Sequence, residues 1–409
     1  MRWTLFFLIY FVIDIYAFQA LKTFTKRKWL YWSYWIVSFL VLGNFTWQLL
    51  FNGDSNRVLT PLKSYAFGFL LVIMLPKLIL ITILLLEDFV RGPQTLYSMA
   101  VKRQNRESFV PSRRKFVSTM AMGLAAVPFT SLLYGMYKGR YNFKVLKYTL
   151  EFDDLPEAFN GYRITQVSDI HSGSFDDFEK VNYGIDLVNR QDSDLIVFTG
   201  DLVNNRADEM LPWQDSFSKL TARDGVYSVL GNHDYGDYVS WDSEDQKTAN
   251  LEKLKTIQKE MGFNLLLNEN VKIEKDGTHI ALVGVENWGA GHFKKAGDIQ
   301  KASQGVDKND FKVLLSHDPS YWDQKIKGDE HHYHLTLSGH THGMQFGIEI
   351  PGWIKWSPIE WRYKYWAGMY KVAGRYLNVN RGFGYLAYPG RVGIWPEITV
   401  ITLKKSLIS

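Results

Sequence analysis

Four long apolar runs crowd the first 137 residues, which leaves such a chain few ways to stay in water. Residues 3–21 are apolar apart from Asp14 and Gln19. Residues 29–51 carry Trp and Tyr near both ends, as interfacial belts do. Residues 64–86 are interrupted by Pro76-Lys77, and residues 116–137 are rich in small side chains. A membrane span needs about 20 mainly apolar residues, and four such runs exceed what a soluble core requires. Residues 1–137 are therefore read as an all-α transmembrane bundle of about four helices, a membrane anchor in contact with the lipid bilayer. Neither repeats nor paired broken helices appear, so a transporter reading has little support.

Charge divides the chain at the same place. Residues 1–137 hold 15 Lys and Arg against 5 Asp and Glu, a net of +10, while residues 138–409 carry a net of −5. The positive charge sits beside the apolar runs, so the overall value of +5 points to a membrane and not to nucleic acid. The loop after the first run carries Lys22, Lys26, Arg27 and Lys28, and the loop before the fourth carries Arg91, Lys102, Arg103, Arg106, Arg113, Arg114 and Lys115. The loop between the second and third carries only Arg57 and Lys63. Basic loops stay cytoplasmic, which puts residues 138–409 outside. Ser112-Arg113-Arg114-Lys115-Phe116 is either the core of a twin-arginine export signal or a further strengthening of that flank. Asp14 and Lys77 fall at similar depth in spans running the same way, and ionisable groups there need partners; the two are expected to pair inside the bundle.

The pattern changes from about residue 145. Short β-rich apolar runs end in polar clusters, and the stretches 176–190 and 243–261 between them read as helices. Residues 264–286 read as further strands, with Asp276-Gly277 as a hairpin turn, and 367–403 also read as strands. Alternating strands and helices followed by extra strands give an α/β layered fold, with the polar clusters at carboxyl ends of strands, where open sheets place ligands.

Five strand ends carry metal-ligand chemistry: Asp169 and His171, Asp201, Asn232 and His233, His317, and His340 with His342. Five of the ten histidines fall in these clusters. In an extended strand, side chains repeat every second residue, so Asp169 and His171 share one side, as do His340 and His342. Glycines 200, 231 and 339 let the backbone turn tightly at each exit. Carboxylate, amide and imidazole donors without sulfur suit Mn, Fe or Zn, not Ca or Cu(I). The absence of cysteine excludes disulfides, thiolate metal sites and a Cys nucleophile.

The motifs SDIH (168–171), GD (200–201), GNHD (231–234), SHDP (316–319) and GHTHG (339–343) resemble those of the calcineurin-like metallophosphoesterases. The resemblance covers roughly residues 150–403. It is narrower with the membrane-anchored bacterial branch, some of whose members are linked to lipid or cell-envelope substrates. NRGFG (380–384) and PEI (396–398) also look like that branch, which usually has Gly-Gly-Gln where this chain has Gly343-Met344-Gln345. The resemblance implies a four-layer α-β-β-α sandwich over 138–409. It implies two divalent or trivalent transition-metal ions, one held by Asp169, His171, Asp201 and His342 and the other by Asp201, Asn232, His317 and His340, with Asp201 bridging. Hydrolysis of a phosphate ester or pyrophosphate bond would follow, as a shared water attacks phosphorus in line. His233 would donate to the phosphoryl or leaving oxygen, with Asp234 orienting its ring.

The substrate is expected to be a phosphorylated amphiphile, with lipid-linked phosphates among the candidates, and the location a bacterial inner membrane with an extracytoplasmic catalytic domain. Relatives resembling UDP-2,3-diacylglucosamine pyrophosphate hydrolases of lipid A synthesis offer an alternative on the cytoplasmic side, which the basic-loop count opposes. A non-catalytic scaffold would have lost ligands, and all seven positions are present. Residues 353–366 interleave Trp353, Trp356, Trp361, Tyr363, Tyr365 and Trp366 with Lys355, Arg362 and Lys364. They are read either as a lip dipping into the headgroup region or as strands whose aromatics stack on the core, and tethering to a bilayer favours the lip. His331, His332 and His334 read as a solvated turn, and His279 and His292 have no partner spacing.

Overall fold

The computed structural model describes residues 2–51, 60–101, 111–350 and 352–406. It contains two compact units, residues 1–53 with 65–134 and residues 54–64 with 135–409. Arg57, Lys102, Arg103 and Arg106, and the side chains of Arg91 and Arg113, lie outside the described residues.

Four helices supply the first unit: α1 (Arg2–Phe24), α2 (Lys28–Thr46), α3 (Pro61–Val101) and α4 (Pro111–Tyr137). Three stretches, Trp3–Phe24, Pro61–Val90 and Arg114–Tyr137, are long and apolar enough to cross a membrane. α2 opens instead on aromatics with polar edges, its first turns holding Trp29, Tyr31, Trp32, Tyr34 and Trp35. Leu8 and Val12 on α1, Leu40 on α2 and Leu86 on α3 are exposed, while Ala17, Ala20, Ala121 and Ala125 are buried between helices. Small residues inside and large apolar ones outside invert the arrangement of a water-soluble bundle and let the backbones approach closely. α3 runs through Pro76 and does not break there. Proline removes one N–H, but no water competes for the other backbone groups in an apolar bundle, so the helix continues. Residues 112–116, the twin-arginine-like segment, lie within α4.

Asp14 and Lys77 form a buried ion pair. Ser38 donates to the same carboxylate, the Tyr34 hydroxyl donates to the Asp14 carbonyl at 2.9 Å, and Lys77 Nζ lies 3.1 Å from Ser38 Oγ and 4.7 Å above the Tyr34 ring. A pair so completely enclosed is costly to break from one side. Asp14→Ala should lower bundle stability by about 3–5 kcal/mol, whereas Asp14→Ala with Lys77→Met should recover most of it. Unfolding of the three proteins in detergent checks this, and a double variant as unstable as the single one would end the pairing argument.

The second unit is an α/β sandwich. β1 (Lys144–Phe152), β2 (Arg163–Val167), β3 (Leu195–Phe198), β4 (Val226–Ser228) and β5 (Phe263–Leu265) precede β6 (Glu269–Lys275), β7 (Thr278–Gly284), β8 (Lys312–Leu315) and β9 (Leu335–Ser338). A ribbon of β10 (Ile348–Ile350) and β11 (Ile354–Trp356) leads to β12 (Gly368–Val372), β13 (Arg375–Val379) and β14 (Glu397–Lys405). One sheet has the order β1-β14-β2-β3-β4-β5 and the other β12-β13-β9-β8-β7-β6. Strands β2 to β5 pair in parallel, as do β7, β8, β9 and β13.

Strand alternation explains the layers. Leu195 and Val197 of β3 join Val313 and Leu315 of β8 in the core between the sheets. Ile196 and Phe198 face the other way, onto Val181 and Ile185 of the helix Phe178–Asn189 and Leu254 and Ile257 of the helix Glu244–Glu260. Leu314 faces Ile299, Trp322 and Ile326 in a thinner fourth layer. Strands apolar on both faces belong in the middle of such a stack. The helices fall where the apolar pattern placed them, and Asp276 and Gly277 take φ of 49° and 77°, the primed turn expected of that hairpin.

Candidate metal centre

Asp169 and His171 follow β2, Asp201 follows β3, Asn232 and His233 follow β4, His317 follows β8, and His340 and His342 follow β9. The site therefore straddles the carboxyl ends of both sheets. Donor atoms of Asp169, His171 and His342 lie within 4.8 Å of one another, and so do those of Asp201, His317 and His340. Asn232 Oδ1 joins the second group, 3.2 Å from His317 Nε2 and 2.7 Å from His340 Nδ1. Asp201 Oδ2 reaches both groups, 3.1 Å from His317 Nε2 and 3.6 Å from His171 Nε2. All seven side chains expected at the site are thus brought together.

The backbone is bent to do this. Asp169, His171, Asp201, His340 and His342 have φ of 50°, 48°, 59°, 74° and 50°. Left-handed backbone costs a non-glycine residue about 1–2 kcal/mol, and such strain clusters where function requires it. Gly200 takes a φ of 96° and supplies the expected turn. Gly231 and Gly339 answer a different need, close approach: a Cβ on them would sit 2.2 Å from Asp201 Oδ1 and 2.0 Å from Ser168 Oγ.

Neighbouring groups fix the donors. His317 Nδ1 lies 2.7 Å from the Thr199 carbonyl, which assigns its proton there and turns Nε2 inward. His340 presents Nδ1 to the cluster while its Nε2 lies 2.7 Å from the Tyr363 hydroxyl and 3.3 Å from Asp318 Oδ2. The His340 N–H donates to Asp169 Oδ1 at 2.9 Å, and the His233 N–H to Asp201 Oδ1 at 2.8 Å. The fully buried Arg391 donates to the Arg381 carbonyl at 2.8 Å and lies 3.2 Å from His342 Nδ1.

Asp234 does not orient the His233 ring. Its carboxylate accepts the backbone N–H groups of Asp201, Leu202 and Gly231 at 3.0, 2.8 and 2.8 Å, which locks the β3 and β4 exits together. With its oxygens so occupied, the ring finds another partner: His233 Nδ1 lies 2.7 Å from the Asn204 carbonyl.

The electrostatics call for cations. Burial alone would raise Asp169 and Asp201, yet His342 holds Asp169, and His317 then His233 hold Asp201, below the usual carboxylate range. Burial opposes a charge on His317, but the Asp201 carboxylate lifts it to about 10. Burial lowers His171 and His340, favouring the neutral form a metal requires, and it also lowers His233, which is outside both donor groups. Burial, then the Asp201 charge, pushes Asp234 up to about 7 against its backbone donors. His171 Nδ1 is buried without a hydrogen-bond partner. Two buried carboxylates, converging imidazole nitrogens and the Asn232 amide oxygen fit two transition-metal ions.

A cleft of about 420 Å³ opens over these groups. His233 and Asn205 offer polar atoms to it, and Tyr238, Phe293, Leu386 and Ala387 form apolar walls. Gln345 braces one wall, accepting the Leu386 N–H at 2.6 Å and donating to the Tyr388 carbonyl at 3.0 Å. Tyr363, Asn204, Tyr238 and Arg391 are not marked as site residues by the sequence, and only the GNHD, SHDP and GHTHG motifs hint at the groups they serve.

The other histidines lie apart from the site. His334 is buried and not on a solvated turn: it accepts the Lys312 N–H at 2.9 Å through Nδ1, and Nε2 lies 2.6 Å from Asp154 Oδ2. His279 has a partner as well, with Nε2 3.0 Å from Asp310 Oδ1. Among the described residues, metal-capable groups of three or more occur only at the two clusters above.

Residues 1–140 match a family model described as the transmembrane domain of a probable calcineurin-like phosphoesterase, and residues 162–344 match the calcineurin-like phosphoesterase model. The chain is 31% identical over 304 residues to the uncharacterized metallophosphoesterase YkuE of Bacillus subtilis, covering 72% of this chain and 98% of that one. It is 28% identical to a transmembrane protein with metallophosphoesterase domain of Danio rerio, covering 67% of this chain and 60% of the relative. It is 26% identical to the phosphodiesterase YaeI of Escherichia coli, covering 71% and 99%.

Proposed function

Since the chain belongs to the calcineurin-like metallophosphoesterases and is a metal-dependent phosphoester hydrolase with a transmembrane region, we propose that it cleaves a phosphodiester or pyrophosphate bond of an amphiphilic, envelope-related substrate. Residues 1–137 form the anchor, with α2 as its fourth span, and residues 138–409 the catalytic domain, outside the cytoplasm of a bacterial inner membrane. The observation that carries the reading is the convergence of seven donors in two groups that share Asp201 Oδ2. Asp169, His171, Asp201 and His342 hold one ion, and Asp201, Asn232, His317 and His340 the other. Held there, two cations would lower the pKa of a water and would offset charge developing on the phosphoryl oxygens.

The chain's own groups do the rest. The Asn204 carbonyl accepts the Nδ1 proton and sets the His233 ring at the cleft; the Asp201 charge opposes the effect of burial on this ring, and as the imidazolium its Nε2 donates to the phosphoryl or leaving oxygen. Tyr238, 4.5 Å from that ring between centroids, and Phe293 shield the reacting phosphate from bulk water.

The test is hydrolysis of bis(p-nitrophenyl) phosphate and p-nitrophenyl phosphate by the full chain in detergent with Mn²⁺. Metal-dependent turnover of the diester is expected. If two metals bind and neither these esters nor UDP-2,3-diacylglucosamine is cleaved, the hydrolase reading of this site fails. Protease access to residues 138–409 in intact cells separates the extracytoplasmic reading from cytoplasmic pyrophosphate hydrolysis in lipid A synthesis.

A further inference from the structure

The ribbon β10–β11 is built inside out. Its register pairs Ile348 with Trp356, Glu349 with Lys355 and Ile350 with Ile354. Side chains alternate along each strand, so one face is apolar and the other charged. In a ribbon lying on a protein in water, the apolar face turns inward. Here the charged heads do, with Glu349 half-buried, although the Lys355 stem stays exposed and Trp356 is half-buried. Glu349 Oε1 binds Arg381 Nη2 at 2.6 Å, and that guanidinium is itself buried against Glu397. The Lys355 ammonium donates to the Ala367 carbonyl and lies 5.1 Å above the rings of Trp366 and Tyr370. Ile348, Ile350 and Ile354 are left 48%, 44% and 40% exposed.

The neighbours extend this face. Trp353 is 83% exposed and Trp361 79%, and the Trp361 ring meets Trp356 edge-on at 6.4 Å. Met344 is also exposed, and it is held at a φ of 54°, where a large side chain is disfavoured. Arg362 and Lys364 are exposed beside Trp361. By contrast Tyr363, Tyr365 and Trp366 turn into the protein, so the aromatic segment divides between core and surface.

We propose that this face, formed by Ile348, Ile350, Trp353, Ile354 and Trp361, inserts into the headgroup and upper acyl region of the bilayer that holds the chain's own apolar helices. Isoleucine flanked by Trp, with Arg and Lys at the rim, is the composition of an interfacial membrane element, and the rim cations suit lipid phosphates. A partner protein would be met with mixed polar contacts at the rim, whereas this surface is aliphatic at its centre and basic at its edge. The ribbon also lies next to the chemistry in the chain: it begins a few residues after His342, and Ser357 just beyond it donates to the Gly343 carbonyl at 2.8 Å. The inference deepens the amphiphilic-substrate reading by naming the surface through which a lipid-borne phosphate reaches the metals.

Because the chain has no cysteine, single cysteines can carry a nitroxide without background. The full chain with Ile350→Cys, Ile354→Cys or, as a reference on an exposed helix position, Tyr183→Cys is labelled and placed in nanodiscs of phosphatidylethanolamine and phosphatidylglycerol. Labels at 350 and 354 should collide with oxygen several-fold more, relative to a water-soluble nickel chelate, than the label at 183. Equal ratios at all three positions would overturn the proposal. So would spin–spin broadening between copies at 350 or 354, which would show a second copy covering the face. Ile348→Glu with Ile354→Glu should shift the collision ratio of a label at 350 toward that at 183 while leaving diester turnover in detergent unchanged. Loss of diester turnover in the unlabelled wild-type chain would instead strike the hydrolase reading and leave the depth measurement standing.

Discussion

Asp201→Ala should abolish turnover, a loss on the order of 10³-fold or more, and, if the site holds the two ions proposed, should lower bound metal to one ion or none. One oxygen of this carboxylate lies within 3.1 Å of His317 and 3.6 Å of His171, and the other accepts the His233 N–H at 2.8 Å. Removing it takes the shared anion from both donor groups and the anchor from the turn that carries His233. Strain alone could mimic part of this, because alanine at a φ of 59° is disfavoured. Asp201→Asn is the control, since asparagine tolerates left-handed backbone and keeps the shape while losing the charge. It should fold with wild-type stability and still lose most metal and activity. Metal content by mass spectrometry beside diester turnover checks both variants, and an active Asp201→Asn enzyme with two metals would refute a bridging carboxylate.

His233→Ala separates chemistry from binding. The ring belongs to neither donor group, its Nδ1 lies against the Asn204 carbonyl, and it borders the cleft. Its residue sits in a short right-handed turn, His233–Tyr235, where alanine fits without strain. The variant should keep both metals and its fold while kcat falls by about 10²–10⁴-fold, the range for a positioned proton donor, with KM little changed. Metal titration and steady-state kinetics on the same preparation check this. Loss of a metal would assign the ring to the ion-binding set instead.

Residues that converge at the site were legible because each follows a buried strand, and parallel strands deliver their carboxyl ends to one edge. The layers were legible in runs such as Leu195–Phe198, apolar on both faces. What supports the donors was not. Tyr363 meets His340 across 23 residues, Asn204 meets His233 across 29 and Arg391 meets His342 across 49, contacts that no local spacing encodes. The pairing given to Asp234 failed for a related reason: adjacency to His233 suggested a partner, whereas four backbone N–H groups from two strand exits outcompete it. Pro76 looked like a break because proline is one in water, and the apolar setting of α3 cancels that rule. The aromatic segment held two roles at once, and composition alone does not say which ring turns inward.

The position of β14 has a consequence for how the domain comes into being. This strand, the last among the described residues, lies between β1 and β2 and pairs with both, so Lys404 is the register partner of Glu151, 253 residues earlier. As the chain emerges from the ribosome, its first sheet has a gap at the place where β14 will go, and β1 has nothing to pair with. Closure waits for β14, and such distant pairing is slow. Until β14 is made, β1 and β2 present unpaired edges, the place where a stalled chain would pair with another copy of itself.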